Sequence, residues 1–159
     1  MIVRALIIKF ITGLLFCLLI IGPVFYAAAE NSPVYVGTET CAQCHQKQYD
    51  SYKALSKKAN SFKSVQRMAG KLTAAELRQC YGCHTTGYGE SGGFRSLKET
   101  PHLKNTGCEA CHGPGSLHAE TEDPSDLKEE ISIKDCVKCH NEERVKAFNY
   151  KPLIYGGAH

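Results

Sequence analysis

The chain has 159 residues, 9 of them cysteine and none tryptophan, with 19 basic against 16 acidic side chains and a formal charge of +3. That near balance, with Lys and Arg scattered along the sequence, excludes the strong electrostatic footprint of a nucleic-acid binder. The length predicts one domain after any targeting segment is set aside.

The first nine residues, Met1-Ile-Val-Arg4-Ala-Leu-Ile-Ile-Lys9, form a short basic start. An apolar run from Phe10 to Tyr26 follows, then Ala27-Ala28-Ala29. A basic start, an apolar middle and a small-residue end predict a signal peptide over residues 1–29 and a mature N-terminus at Glu30. The rival is an uncleaved membrane anchor, because Phe10 to Ala29 is about long enough to span a bilayer. Gly22-Pro23 and the alanine triplet favour cleavage. Cys17, preceded by Phe16 and followed by apolar residues, lacks the small neighbour of a lipoprotein site and reads as an apolar residue of the signal. Removing Arg4 and Lys9 lowers the net charge of residues 30–159 to about +1.

Asn31 to Thr40 reads as an extended lead-in. Cys41 to Arg67 contains no Gly or Pro and is predicted helical. Thr73 and Glu76 form a capping box opening a helix that runs into the next cysteines. Gly87 to Gly93 (Gly-Tyr-Gly-Glu-Ser-Gly-Gly) predicts a flexible loop; it lacks the Lys and Ser/Thr of a phosphate loop. Gly113-Pro114-Gly115 predicts a chain break. Ser132 with Asp135 caps a further short helix.

Threaded through these elements is one pentapeptide pattern, Cys-x-x-Cys-His, four times over. The copies are Cys41-Ala-Gln-Cys44-His45, Cys80-Tyr-Gly-Cys83-His84, Cys108-Glu-Ala-Cys111-His112 and Cys136-Val-Lys-Cys139-His140. Composition alone would give about 0.02 copies. The pattern is the attachment signature of c-type haem: two thiols add across the haem vinyl groups and the adjacent imidazole binds iron. Paired Cys-x-x-Cys units also hold structural zinc, but four thiolates need no following His, and here it follows every time. A disulfide framework does not call for four identical spacings ending in His. The sequence therefore predicts four covalent c-type haems.

Four haems share about 32 residues each, too little polypeptide for an ordinary apolar core. The haems are expected to supply most of the buried apolar surface, so folding should depend on their attachment. The predicted fold is a mainly α single domain over residues 30–159, short helices and loops wrapped around closely packed haems. With two propionates per haem and about one positive charge per ferric core, the oxidised holoprotein would carry about −3. The scattered Lys and Arg side chains would then cover a solvated face or pair with propionates. Covalent haem attachment outside the cytoplasm, with the N-terminal signal, points to the bacterial periplasm. Membrane association is expected only if that segment is retained.

Haem iron has two axial positions, eight in all. His45, His84, His112 and His140 take four. His102, His118 and His159 are the remaining histidines and candidate distal ligands. Their plainer reading is surface histidine. His159 qualifies if the run Phe148, Tyr150, Leu153, Ile154 and Tyr155 packs the C-terminus back onto the haems. Seven histidines cannot fill eight positions, so one iron must use Met68, a lysine such as Lys57 or Lys58, water, or remain open.

Three stretches resemble the tetrahaem cytochrome c-554 family: Tyr35-Val-Gly-Thr-Glu-Thr-Cys-Ala-Gln-Cys-His45, Cys80-Tyr-Gly-Cys-His-Thr-Thr-Gly-Tyr-Gly-Glu-Ser-Gly-Gly-Phe94 and Gly107-Cys-Glu-Ala-Cys-His-Gly-Pro-Gly-Ser-Leu-His118. The Cys-Glu-Ala-Cys-His-Gly-Pro-Gly element is more specific than the haem motif alone. The resemblance implies a small, mainly helical multihaem cytochrome c in the periplasm, with closely stacked, mostly bis-His haem pairs and one five-coordinate iron. It places a distal His on His118. It also implies a distal His after the first motif, in a Ser-x-His-Ala context; here that stretch is Ser56-Lys57-Lys58-Ala59-Asn60-Ser61, and His102 is the candidate to compensate.

The function expected is single-electron transfer between periplasmic or membrane-bound redox proteins. Bis-His iron changes redox state with little rearrangement and offers no open position to a substrate. The alternative is a small reductase of nitrogen or sulfur oxyanions, or of nitric oxide, working at an open haem.

Overall fold

The computed structural model describes residues 32–141; the expected signal peptide over residues 1–29 and the stretch from Phe148 to His159, with its candidate ligand His159, lie outside the described residues. Within them the chain is helical, with no strand. The helices are α1 (Thr38–Cys41), α2 (Gln46–Leu55), α3 (Phe62–Met68), α4 (Ala74–His84), α5 (Glu109–His112), α6 (Ser116–Thr121) and α7 (Ile133–Cys136).

The continuous helix expected from Cys41 to Arg67 is broken into α1, α2, a 3-10 turn over Lys57–Asn60, and α3. Neither Gly nor Pro is needed for the break. Ser56 is extended (φ −85°, ψ 123°), and its Oγ accepts from the Lys58 backbone N–H at 3.3 Å. A serine that satisfies a nearby backbone donor competes with helix continuation. The break turns Tyr52 and Phe62 toward separate burial sites, and both are buried with Ala59 and Val65.

The capping box of α4 forms as expected. Thr73 Oγ1 accepts from the Glu76 N–H and the Glu76 carboxylate accepts from the Thr73 N–H. The Ser132–Asp135 box opens α7 in the same way. Gly113 (φ +83°) ends α5 where the Gly-Pro-Gly break was expected.

The Gly87–Gly93 segment is a series of hydrogen-bonded turns rather than a loose loop. Glu90 N–H donates to the Gly87 carbonyl, Gly93 N–H to that of Glu90, and Phe94 N–H to that of Thr86. Gly87 has φ +68°, and a Cβ there would lie 2.6 Å from the Tyr35 ring. The glycine is thus required both by its left-handed backbone and by the aromatic ring against it.

The apolar core is thin. Phe62, Val65, Phe94 and Leu103 form it, with Tyr35, Leu77, Tyr81 and Tyr88 packed around. Tyr81 meets Tyr88 and Phe94 edge-on at centroid distances of 5.2 and 5.3 Å, a favoured aromatic geometry. Only Tyr52 and Ala59 add to the buried apolar residues among those described. Leu55 and Met68, by contrast, are 65% and 44% exposed. So small a core matches the expectation that bound haem completes it.

Candidate functional site

All four motifs adopt helical backbone or a single helical turn. The His N–H bonds the carbonyl of the first cysteine in three of them: His45 to Cys41 (2.9 Å), His112 to Cys108 (3.1 Å) and His140 to Cys136 (2.9 Å). The motif at Cys80–His84 is the last turn of α4. Residues at i, i+3 and i+4 share one helical face. The spacing therefore presents two thiols and an imidazole together.

Three histidines have a fixed tautomer. His84 Nδ1 lies 2.9 Å from the Ser61 carbonyl, His112 Nδ1 2.8 Å from that of Lys128, and His118 Nδ1 2.9 Å from that of Asp123. A carbonyl only accepts, so each Nδ1 carries the proton and each Nε2 keeps its lone pair for a metal. This is the protonation state that haem iron requires of its ligands.

His45 and His118 face each other. Their ring centroids are 6.1 Å apart and their planes differ by 21°. Two imidazoles bound through Nε2 to one metal, with bonds of about 2 Å, have centroids about 6 Å apart. That separation is compatible with one iron between the first motif and α6. His102 is exposed on the 3-10 turn Pro101–Leu103, its ring against the backbone of Gly37, where a Cβ would meet its Cδ2 at 3.1 Å. Met68 is half-exposed at the end of α3.

The motifs are brought together in a definite order. The neighbouring Cys41 and Cys108 thiols push Cys41 up and Cys108 down from the ordinary thiol range. Burial and a bond with Cys83 push the Cys139 thiol up. Burial likewise raises Cys111 and Cys136, and the nearby Cys136 adds to the rise at Cys111. The third motif therefore adjoins the first and the fourth, and the fourth adjoins the second.

Glu109 holds the first junction. It sits between the two cysteines of the third motif and is 3% exposed. Its Oε1 accepts from the N–H groups of Val36 (2.9 Å) and Gly115 (2.8 Å), and its Oε2 from that of Gly37 (2.7 Å). The Gly37 carbonyl in turn lies 3.8 Å from Cys41 Sγ. One carboxylate thereby ties the segment before the first motif to the third motif and to the Gly-Pro-Gly turn. Gly115 must be small, since a Cβ there would come within 3.2 Å of Oε1. This explains why the Cys-Glu-Ala-Cys-His-Gly-Pro-Gly element is so specific. The sequence flagged that element but not the burial of its glutamate.

Neutral hydroxyls make the other junctions. Thr106 Oγ1 donates to the Cys83 carbonyl (2.8 Å), and Ser61 Oγ donates to the His84 carbonyl (3.0 Å) while accepting from the Thr106 N–H (2.9 Å). Thr86 Oγ1 accepts from the Gly107 N–H at 2.9 Å. The Lys128 N–H reaches the His112 carbonyl at 3.0 Å on the way to the fourth motif.

Lys58 stands at the His position of the Ser-x-His-Ala context. Its charge acts on Cys111, Cys136 and His140. His140 is shifted down, first by burial and then by this charge.

Residues 40–113 match the family model described as cytochrome c554 and c-prime. The chain is 33% identical over 97 residues to cytochrome c-554 of Nitrosomonas europaea, covering 55% of this chain and 41% of that protein. It is 28% identical over 104 residues to the multiheme cytochrome MtrC of Shewanella baltica, covering 52% of this chain and 16% of that protein. The chain thus spans less than half the length of these curated relatives. No solved structure matches.

Proposed function

We propose, from the premise that this chain belongs to the cytochrome c554 family through residues 40–113, that residues 30–159 form a periplasmic tetrahaem cytochrome passing single electrons between redox proteins. Haem c is the cofactor, as the family and the four attachment motifs require. When bound it supplies a one-electron couple at each iron.

The observation that carries the proposal is the facing pair His45 and His118, at a separation compatible with a single six-coordinate iron. In this reading Cys41, Cys44, Cys80, Cys83, Cys108, Cys111, Cys136 and Cys139 anchor four haems. His45, His84, His112 and His140 are the proximal ligands, and His118 is the distal partner of His45. His102 and His159 are the further distal candidates. The carbonyls of Ser61, Lys128 and Asp123 hold three imidazoles in the metal-binding tautomer. The adjoining cysteines support a first–third pair and a second–fourth pair, joined through the third and fourth motifs. Such a chain of neighbours suits electron hopping.

Mass spectrometry of the protein purified from the periplasm tests this reading. The expected mass is the chain from Glu30 plus four haems. Fewer adducts, or zinc in their place, would overturn it, and retention of residues 1–29 would replace the cleaved signal with an anchor. Low-temperature EPR and CO titration test the ligand count: at most three low-spin bis-His signals, and one iron that is open or weakly held. Lys57 and Lys58 are the lysine candidates for that weak site. Turnover of a nitrogen or sulfur oxyanion at the open iron would replace the carrier by a reductase.

A further inference from the structure

The basic side chains that look scattered in the sequence converge in space. A groove of about 770 Å³ runs between the end of α2 and the outer face of α3, lined by Lys53, Leu55, Lys57, Lys63 and Arg67 among others. An adjoining hollow of about 200 Å³ shares Lys53 and Lys63 and adds Lys104. No carboxylate lines either one. Among the described residues, none of the five cations belongs to an ion pair. Leu55, 65% exposed, lies among them.

The groove is separate from the haem-attachment faces. No motif cysteine or histidine lines it. The opposite face of α3 is spent on the core through Phe62 and Val65. Yet it lies close to the third and fourth motifs. Tyr52, next to Lys53, donates its hydroxyl to the Thr106 carbonyl at 3.0 Å, two residues before Cys108. The charge of Lys58, next to Lys57, acts on Cys111 and Cys136.

We propose that this groove is where the carrier docks the acidic face of a redox partner protein. The inference rests on the electron-carrier reading above. Clustered cations without counter-ions raise the local concentration of an anionic partner and speed its encounter. The exposed Leu55 gives the centre of the patch an apolar contact, the pattern of a docking interface with a charged surround. A partner seated there is one chain segment away from the third and fourth attachment motifs. The holoprotein as a whole would carry about −3 when oxidised and about −7 when reduced, so the groove is a positive exception on a negative molecule. That opposition of sign makes the proposal testable.

The experiment is stopped-flow oxidation of the reduced four-haem protein by ferricyanide, an anion, and by tris(phenanthroline)cobalt(III), a cation. Docking at the groove predicts that ferricyanide oxidation slows as salt rises, because attraction is being screened. Steering by net charge alone predicts that it speeds up, and this result would overturn the proposal. The Lys63→Glu/Arg67→Glu protein should react with ferricyanide at least five-fold more slowly at low salt and no more slowly with the cobalt complex. Deca-glutamate, standing in for an acidic protein face, should inhibit the wild type and not the variant. Inhibition by anionic lipid vesicles but not by deca-glutamate would assign the groove to a membrane and reject a protein partner. Lys53→Gln/Lys63→Gln provides a milder second variant, for which a two-fold loss is expected. Haem count and visible spectrum are checked first in every protein. Normal values with unchanged rates reject the groove alone, whereas missing haems reject the carrier reading itself.

Discussion

The first and third haem motifs are joined by a buried anion; the second motif is tied to the segment leading into the third by neutral hydroxyls. Glu109 satisfies three backbone N–H groups from two segments, Val36–Gly37 and Gly115, that lie far apart in sequence. Ser61, Thr86 and Thr106 make shorter-range ties around the second motif. The Ser132–Asp135 box near the fourth motif lies at the surface. A buried charge with several donors is costly to disturb, because removing it strands every donor at once. Neutral hydroxyls fail one bond at a time. The first–third junction should therefore be the rigid half of the contrast and the ties around the second motif the forgiving half.

The harshest way to break this contrast is to remove the haem at the rigid junction. Cys108→Ala with Cys111→Ala should abolish soluble holoprotein, since the polypeptide buries few apolar side chains of its own. A folded three-haem protein, counted by mass spectrometry with its other spectra unchanged, would contradict that. Next comes Glu109→Ala. Stranding the N–H groups of Val36, Gly37 and Gly115 should cost about 3–5 kcal/mol, read by denaturant unfolding of the holoprotein. A loss below about 1 kcal/mol would show the junction is not rigid.

His118→Ala should act on the iron more than on the fold. One low-spin EPR signal should give way to a high-spin one, with CO binding to that haem on reduction. An unchanged spectrum would separate His118 from His45. The smallest effect belongs to the forgiving half. Ser61→Ala should cost about 1–2 kcal/mol and leave all four haems attached. If it matched Glu109→Ala, the contrast between the halves would collapse.

What was legible in the sequence was local. The four Cys-x-x-Cys-His turns, the Thr73–Glu76 and Ser132–Asp135 caps and the Gly113 break all depend on residues within four positions of one another, and each was readable. What was not legible was pairing at a distance. Nothing near Glu109 in sequence announces that Val36 and Gly37 will bond it, so an acidic residue there reads as exposed. The break at Ser56 was hidden for a related reason. Its cause is one hydroxyl bond plus the opposed burial of Tyr52 and Phe62, and neither Gly nor Pro marks it. The basic groove was likewise invisible, because it takes a break between α2 and α3 to bring Lys53 and Lys57 beside Lys63 and Arg67. The expected scarcity of apolar core, by contrast, followed from length and haem count alone.

The closeness of Cys41 and Cys108 carries a consequence for how the protein is made. Before maturation these sulfurs belong to different attachment pairs, yet the fold brings them close enough to perturb one another. The same holds for Cys83 and Cys139. In an oxidising compartment such neighbours are poised to cross-link with the wrong mate, and a disulfide between motifs would remove a thiol from two haems at once. Assembly thus becomes a race between thioether formation and misoxidation. A chain that collapses early toward its final shape is at greatest risk, so maturation should favour a reduced, still-open polypeptide that closes only as each porphyrin is stitched in.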